Sequence, residues 1–397
     1  MSEETKSHKP KNTAFRQQRL RAWQPILTPK TVLPTFFLVG IIFSPIGGVL
    51  LYSSDSVSEV SIDYTDCATS ATSVFQDIPE NRFNLHYPHS SSPSFTTPRW
   101  KVTPDVTTID PLTNATLTAP RCTLQFPVLS TLKPPIFMYY RLTNFYQNHR
   151  KYVKSFDADQ LYGQARTASD MKNGGCKDYL GPNDSTAVYY PCGFIARSVF
   201  NDTLSSLTHV EDNSTHYIWN EKGIAWDSDN TKFRPTTYSP DPATVVPPDT
   251  WVARYGANYT AETIQKVHTD EHLIVWMRTA GLPTFRKLYG RNDADTLESG
   301  MYSIDIDMRF DVLSYGGRKS LVISTVAFLG GRNSFLGIAY IVVGCVCVVL
   351  GCLFTVRHLY RPRKLGDHTY LSWNQTGGPS SAGAGGGASG GPLSSGH

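Results

Sequence analysis

The sequence predicts a membrane protein with two transmembrane α-helices around one large, mainly antiparallel, sandwich-like β domain carrying short helices. Three observations lead there. Two long apolar stretches, Leu33 to Tyr52 and Phe335 to Val356, are free of charged residues. At 1.5 Å per residue, about twenty residues match a hydrocarbon layer of ~30 Å. The ~280 residues between them are rich in Tyr, Phe, Thr and Pro, with turn signals at short spacing. Asn173-Gly174-Gly175, Gly181-Pro182-Asn183, Pro247-Pro248-Asp249 and Gly316-Gly317 are examples.

The chain of 397 residues divides on this basis into five segments. These are a basic tail (1–32), a first span (33–53), a lumenal or extracellular β domain (54–332), a second span (333–356) and a C-terminal tail (357–397). The last is low-complexity Gly/Ser sequence from about residue 377. The first apolar run follows some thirty polar residues and precedes no A-x-A-like cleavage site, so it reads as an uncleaved signal-anchor. Residues 1–14 are polar and expected to be disordered. No internal repeat is visible.

Flanking charge sets the expected orientation. Lys6, Lys9, Lys11, Arg16, Arg19, Arg21 and Lys30 precede the first span, and Arg357, Arg361, Arg363 and Lys364 follow the second. Both termini are therefore expected in the cytosol. The chain is then an integral membrane protein of the secretory pathway: endoplasmic reticulum, Golgi, endosome or plasma membrane. Between Phe15 and Pro29 basic residues interleave with Leu20, Trp23, Ile26 and Leu27. That segment suits the membrane surface, or serves only to fix topology; Pro25 and Pro29 exclude one long helix.

Four cysteines, Cys67, Cys122, Cys176 and Cys192, fall in the loop, which suggests two disulfides with three possible connectivities. The sequential pairing constrains the fold least, and its shorter loop contributes on the order of 3 kcal/mol. Cys345, Cys347 and Cys352 lie in the second span and read as small apolar packing residues. Five sequons at Asn114, Asn183, Asn201, Asn213 and Asn258 lie between the spans and are expected glycosylation sites. A sixth, at Asn374, lies in the cytosolic tail and is expected to stay unmodified.

Within the loop, Pro135 to Tyr140 and Tyr302 to Phe310 suit strands, the latter with the alternation Ile304-Asp305-Ile306-Asp307-Met308. Leu321 to Leu329 is too short to span a membrane and is rich in β-branched residues, as befits a buried strand leading to the second span.

Catalytic motifs are weak. His268-Thr-Asp-Glu271-His272 matches the H-x-x-E-H pattern of inverted zinc peptidases, which on one helix would set two His a turn apart. No third ligand is identifiable, and the bland reading is a polar surface helix leading into Leu273-Ile274-Val275-Trp276. Neither a phosphate-binding loop nor an Asp-Lys-Thr-Gly phosphorylation signature occurs. The expectation is a non-catalytic chain with no cofactor, no metal and no nucleic-acid partner.

The spans carry more information. Gly40, Ser44 and Gly48 recur at four-residue spacing, and Gly337, Gly344 and Gly351 at seven. Such small-residue faces let helices approach closely. Either the two spans pack on one another, or at least one also packs on a larger membrane partner. Pro45 lies mid-span and is expected to kink the first helix. Neither span contains an ionisable residue, so no ion or substrate path of its own is evident.

Longer strings resemble the cell-division-control protein fifty / ligand-effect modulator family, the non-catalytic beta subunits of type-IV P-type ATPase phospholipid flippases. They include Arg16-Gln-Gln-Arg-Leu-Arg-Ala-Trp-Gln-Pro25, Phe43-Ser-Pro-Ile-Gly47 and Tyr139-Tyr-Arg-Leu-Thr-Asn-Phe-Tyr-Gln-Asn148. Tyr190-Pro-Cys-Gly193, Gly223-Ile-Ala-Trp226, Trp276-Met-Arg-Thr-Ala-Gly-Leu-Pro-Thr-Phe-Arg-Lys-Leu-Tyr289 and Phe335-Leu-Gly-Ile-Ala-Tyr-Ile-Val-Val-Gly344 continue the match. Lys364-Leu-Gly-Asp-His-Thr-Tyr370 is similar to a fungal member's ending.

The resemblance implies a heterodimer with a catalytic type-IV P-type ATPase, whose folding, exit from the endoplasmic reticulum and activity depend on this chain. It implies that the ectodomain caps the pump's lumenal loops, that both helices pack beside the pump in the lipid bilayer, and that the four loop cysteines pair sequentially. The other reading of glycans and disulfides is a stand-alone cell-surface receptor or adhesion glycoprotein.

Overall fold

The computed structural model describes residues 12–20, 28–88, 96–183, 185–212, 216–327 and 330–362. Asn213, Asn374, Trp23 and the low-complexity tail lie outside the described residues. Two long apolar helices and an antiparallel β domain with short helices make up the chain, as expected, and they fall into two compact units.

The first unit is the helix pair. One helix runs Pro29–Asp55, continuous through Pro34 and Pro45, and the other Phe335–Tyr360. Both are long and apolar enough to cross a membrane. Glycine sets their separation. A Cβ at Gly40 would overlap the Val348 side chain and lie 3.1 Å from the Gly344 carbonyl oxygen. At Gly47 it would come within 2.7 Å of Ile341 and 2.9 Å of the Gly337 oxygen. On the facing helix Gly344 meets Ser44, Gly351 meets the Phe37 ring, and Gly337, Gly344 and Gly351 are all buried. Rings interleave beside these contacts, Phe36 with Phe354 at 5.7 Å and Phe43 with Tyr340 at 5.0 Å.

The seam between the two helices departs from the four-residue stripe at one position. The first helix uses Gly40, Ser44 and Gly47 rather than Gly48, around which a Cβ meets nothing within 4 Å. A strict four-residue step gains 40° per repeat on a 3.6-residue helix, so after two steps the stripe has rotated off the seam. Cys345 and Cys352 are exposed on the helix pair.

The second unit holds two main sheets sharing one core. In the first, antiparallel strands run in the order Phe285–Asn292, Ile136–Thr143, Arg318–Thr325, Glu59–Asp63, Phe83–His86. The second is built on Gly300–Asp307, Thr116–Val128 and Arg99–Ile109, with short edge strands at Gln76–Asp77, Thr203–Leu204, Leu207–His209 and His216–Tyr217.

Period-two burial explains the layers. Ile136, Met138, Tyr140 and Leu142 are buried on one face of their strand, and Ile304 and Ile306 do the same opposite. The central Arg318–Thr325 strand is covered on both faces, with Lys319 to Ser324 all buried. The β-branched run Leu321–Leu329 is thus a strand in its first half; residues 328–329 lie outside the described residues.

Cys67, opening the short helix Cys67–Ser70 after the Glu59–Asp63 strand, is disulfide-bonded to Cys122 on a central strand of the other sheet, with 6.1 Å between Cα atoms. This bond staples sheet to sheet across the core. A long excursion, residues 144–284, connects two neighbouring strands of the first sheet and builds a second core of its own. Met171, Val188, Tyr190, Val245, Trp251 and Leu273 lie in it, around the Cys176–Cys192 disulfide.

Candidate partner-binding surfaces

The β domain is rigidified by buried ion pairs rather than by a catalytic constellation. Asp202, on the excursion, receives the Lys319 ammonium at 2.7 Å, the Tyr64 hydroxyl at 3.0 Å and the backbone amides of Arg309 and Phe310 at 2.6 Å each. Burial and the adjacent Asp202 carboxylate push the Tyr64 phenol well above its usual range, so it stays a donor. Next to this cluster Asp307 is bound by Arg121 at 2.7 Å and Arg309 at 3.4 Å. Arg254 bridges Asp110 and Asp270, 2.7 Å from each. These pairs join the excursion to both sheets, which fixes its placement.

The His268–His272 motif does not form one helix. Asp270 breaks the chain there (φ −77°, ψ 95°) and caps a new helix, Glu271–Met277, by accepting from the amides of His272 and Leu273. Glu271 is committed elsewhere. Its carboxylate accepts the amides of Gly223 at 3.0 Å, Ile224 at 2.9 Å and Ala225 at 3.1 Å. His272 Nε2 pairs with Glu221 at 3.1 Å, and the ring lies 4.4 Å from that of Tyr289. Among the described residues no group of three or more metal-ligating side chains occurs. A Glu held by three backbone amides is lowered in basicity and fixed away from any metal-bound water, which is a poor arrangement for a general base.

Glu271 instead shapes a surface cleft. By holding Gly223–Ala225, with Gly223 at φ +74°, it presents Trp226, which is 63% exposed. Trp226 opens onto a cleft of about 890 Å³. Three arginines in the cleft stack on three rings. Arg278 lies 3.7 Å from the Trp226 centroid, Arg286 5.0 Å from Tyr139 and Arg291 5.3 Å from Phe137. Each is also fixed by a carboxylate, Asp229, Glu59 and Asp293 respectively.

Beneath them Lys287, 8% exposed, donates to the carbonyls of Val275, Trp276 and Arg278. Burial, reinforced by the Arg278 charge, pushes its ammonium down to about 8. The walls come from three sequence strings well apart in the chain, those at Tyr139, Gly223–Trp226 and Trp276–Tyr289. Sequence reasoning singled out the strings but not their convergence, which the excursion brings about.

The outward faces of the helix pair form a second surface. Leu38, Ile41, Ile42, Ile46 and Val49 on one helix, and Ile338, Val342, Val346, Val349 and Leu353 on the other, are exposed, as suits contact with lipid or a further membrane helix. The sequon residues Asn114, Asn183, Asn201 and Asn258 are exposed on the β domain.

The LEM3 (ligand-effect modulator 3) family / CDC50 family model matches residues 50–364. Over 384 residues the chain is 39% identical to a phospholipid-transporting ATPase accessory subunit, CDC50, of Chaetomium thermophilum, covering 94% of this chain and 93% of that one. It is 38% identical to the accessory subunit CRF1 of Saccharomyces cerevisiae, covering 94% and 90%, and 39% identical to cell cycle control protein 50A of Mus musculus, covering 90% and 91%. With the family model spanning the β domain and the second helix, and relatives from fungi to mammals aligned almost end to end, this chain belongs to the CDC50/LEM3 family.

Proposed function

We propose that this chain is the non-catalytic accessory subunit of a phospholipid-transporting P-type ATPase. The observation that carries this is the near end-to-end similarity, over nine-tenths of each chain, to fungal accessory subunits bearing that description. The geometry supports it. The carboxylate of the one catalytic-looking motif is occupied by backbone amides, and the molecule offers instead an arginine-lined cleft and apolar outward helix faces.

In this reading both termini are cytosolic and the β domain lies in the lumen or outside the cell, glycosylated at Asn114, Asn183, Asn201, Asn213 and Asn258. The ectodomain clamps lumenal loops of the pump, and the cleft around Trp226 is the surface assigned to them. Short loops cannot build a core of their own, whereas a disulfide-stapled domain presents a preformed wall at low entropic cost. The helix pair packs beside the pump, whose folding, exit from the endoplasmic reticulum and lipid translocation depend on it. Headgroup chemistry belongs to the ATPase.

Depleting the chain in cells is the functional test. The expected outcome is a catalytic ATPase retained in the endoplasmic reticulum and loss of labelled-phospholipid uptake, both restored by the full chain. An ATPase that leaves the reticulum and moves lipid at the original rate in depleted cells overturns the proposal.

A further inference from the structure

At one end of the helix pair, the start of Pro29–Asp55 and the end of Phe335–Tyr360 enclose a groove of about 440 Å³. Its walls are of two kinds. Val32, Leu33 and Phe354 are apolar, while Arg357, His358 and Arg361 bring two guanidinium groups and an imidazole to the same space. Lys30 adjoins it in the chain.

Among the described residues of the helix unit the positive charge has no acidic counterpart. No Asp or Glu occurs anywhere in residues 12–54 or 312–366. Among the described residues, neither guanidinium forms an ion pair within the helix unit. Topology alone requires cations near a span's end, but not a concave site with apolar walls.

A ligand that fits has a phosphate oxyanion for the arginines and hydrocarbon for the floor, and resides at the depth where a membrane helix ends. Arginine's fork matches a phosphodiester bidentately. We propose that this groove is a binding site for the headgroup of an anionic phospholipid, the phosphate held by Arg357 and Arg361 and the glycerol and first acyl carbons lying on Val32, Leu33 and Phe354. The site requires that the helices span a bilayer, and it is independent of which side the groove faces and of the identity of the pump.

The test uses the full chain with whatever partner co-purifies, reconstituted in phosphatidylcholine vesicles. The vesicles carry a trace of photoactivatable phosphatidylserine, phosphatidylinositol or phosphatidylcholine, and cross-linked peptides are mapped by mass spectrometry. The anionic probes are expected to label the peptides containing residues 28–33 and 354–361 in preference to the choline probe. Arg357→Gln and Arg361→Gln are each expected to lower that labelling about five-fold.

The Arg357→Lys/Arg361→Lys chain keeps the charge but not the fork and should label above the glutamine variants and below the native chain, which separates lost binding from lost folding. Equal labelling by neutral and anionic probes, or labelling unchanged in the glutamine variants, overturns the site. Suppression of labelling by millimolar inorganic phosphate overturns the lipid assignment in favour of a free anion.

Discussion

The Asp202 carboxylate and the Lys319 ammonium lie 2.7 Å apart, with both side chains almost wholly removed from solvent. One belongs to the long excursion and the other to the central strand of the first sheet, so this pair pins the excursion to the sandwich. An uncompensated buried charge is far costlier than a buried pair is beneficial. Asp202→Ala is therefore expected to destabilise the β domain by about 3–5 kcal/mol, measured by thermal or denaturant unfolding of the purified chain. The double variant Asp202→Ala/Lys319→Met should recover part of that loss, whereas equal additive losses would contradict the account.

The helix pair makes a contrast between adjacent glycines. Gly47 faces Ile341 and the Gly337 carbonyl, while nothing lies within 4 Å of a Cβ at Gly48. Gly47→Leu should force the helices apart and lower the detergent-solubilised chain's melting temperature. Gly48→Leu should leave it within error, since overpacking costs of about 1–3 kcal/mol arise only where space is already filled. Equal effects of the two substitutions would mean a different helix rotation.

How much of this was legible in the sequence follows from the range of the interactions. The spans, the strand nature of Ile136–Thr143 and Gly300–Asp307, and the buried strand at Arg318–Thr325 are written in local hydropathy and periodicity. The choice of Gly47 over Gly48 depends on where the facing helix lies, which the residue spacing of one helix does not set. The fate of Glu271 is decided by the Gly223–Ala225 turn some 46–48 residues away in the chain. A five-residue pattern could suggest a metal site but could not reveal that Asp270 breaks the helix or that backbone amides occupy the carboxylate. The excursion's second core is non-local for the same reason.

Glu271 carries a distinct expectation. Its three amide bonds are charge-assisted, worth about 1.5–3 kcal/mol each in favourable cases. Glu271→Ala should free the turn, speed proteolysis next to Trp226 and weaken whatever docks in the cleft. Chelators should leave the melting temperature of the native chain unchanged. A chelator-dependent fall in melting temperature would revive the metal reading.

Lys287 predicts a pH dependence of definite sign. Its folded value, about 8, lies below the ordinary lysine value of 10.5. Between these the unfolded chain binds the additional proton, so its contribution to stability rises with pH through this window and is at its least favourable below about 8. The slope is at most about 1.4 kcal/mol per pH unit. Comparing unfolding of the native chain and Lys287→Met from pH 7.5 to 9.5, a range set by the folded value of about 8, isolates it. The native chain should gain stability relative to the variant as pH rises, and a relative loss would contradict the assignment.

The central claim is that this chain works as one half of a lipid-transporting pump. Affinity purification from native membranes in mild detergent, with mass spectrometry of the eluate, tests it most directly. The account predicts a near-stoichiometric P-type ATPase co-eluting with the chain, diminished by Trp226→Ala while the chain itself remains folded. A well-folded chain recovered reproducibly alone would contradict it.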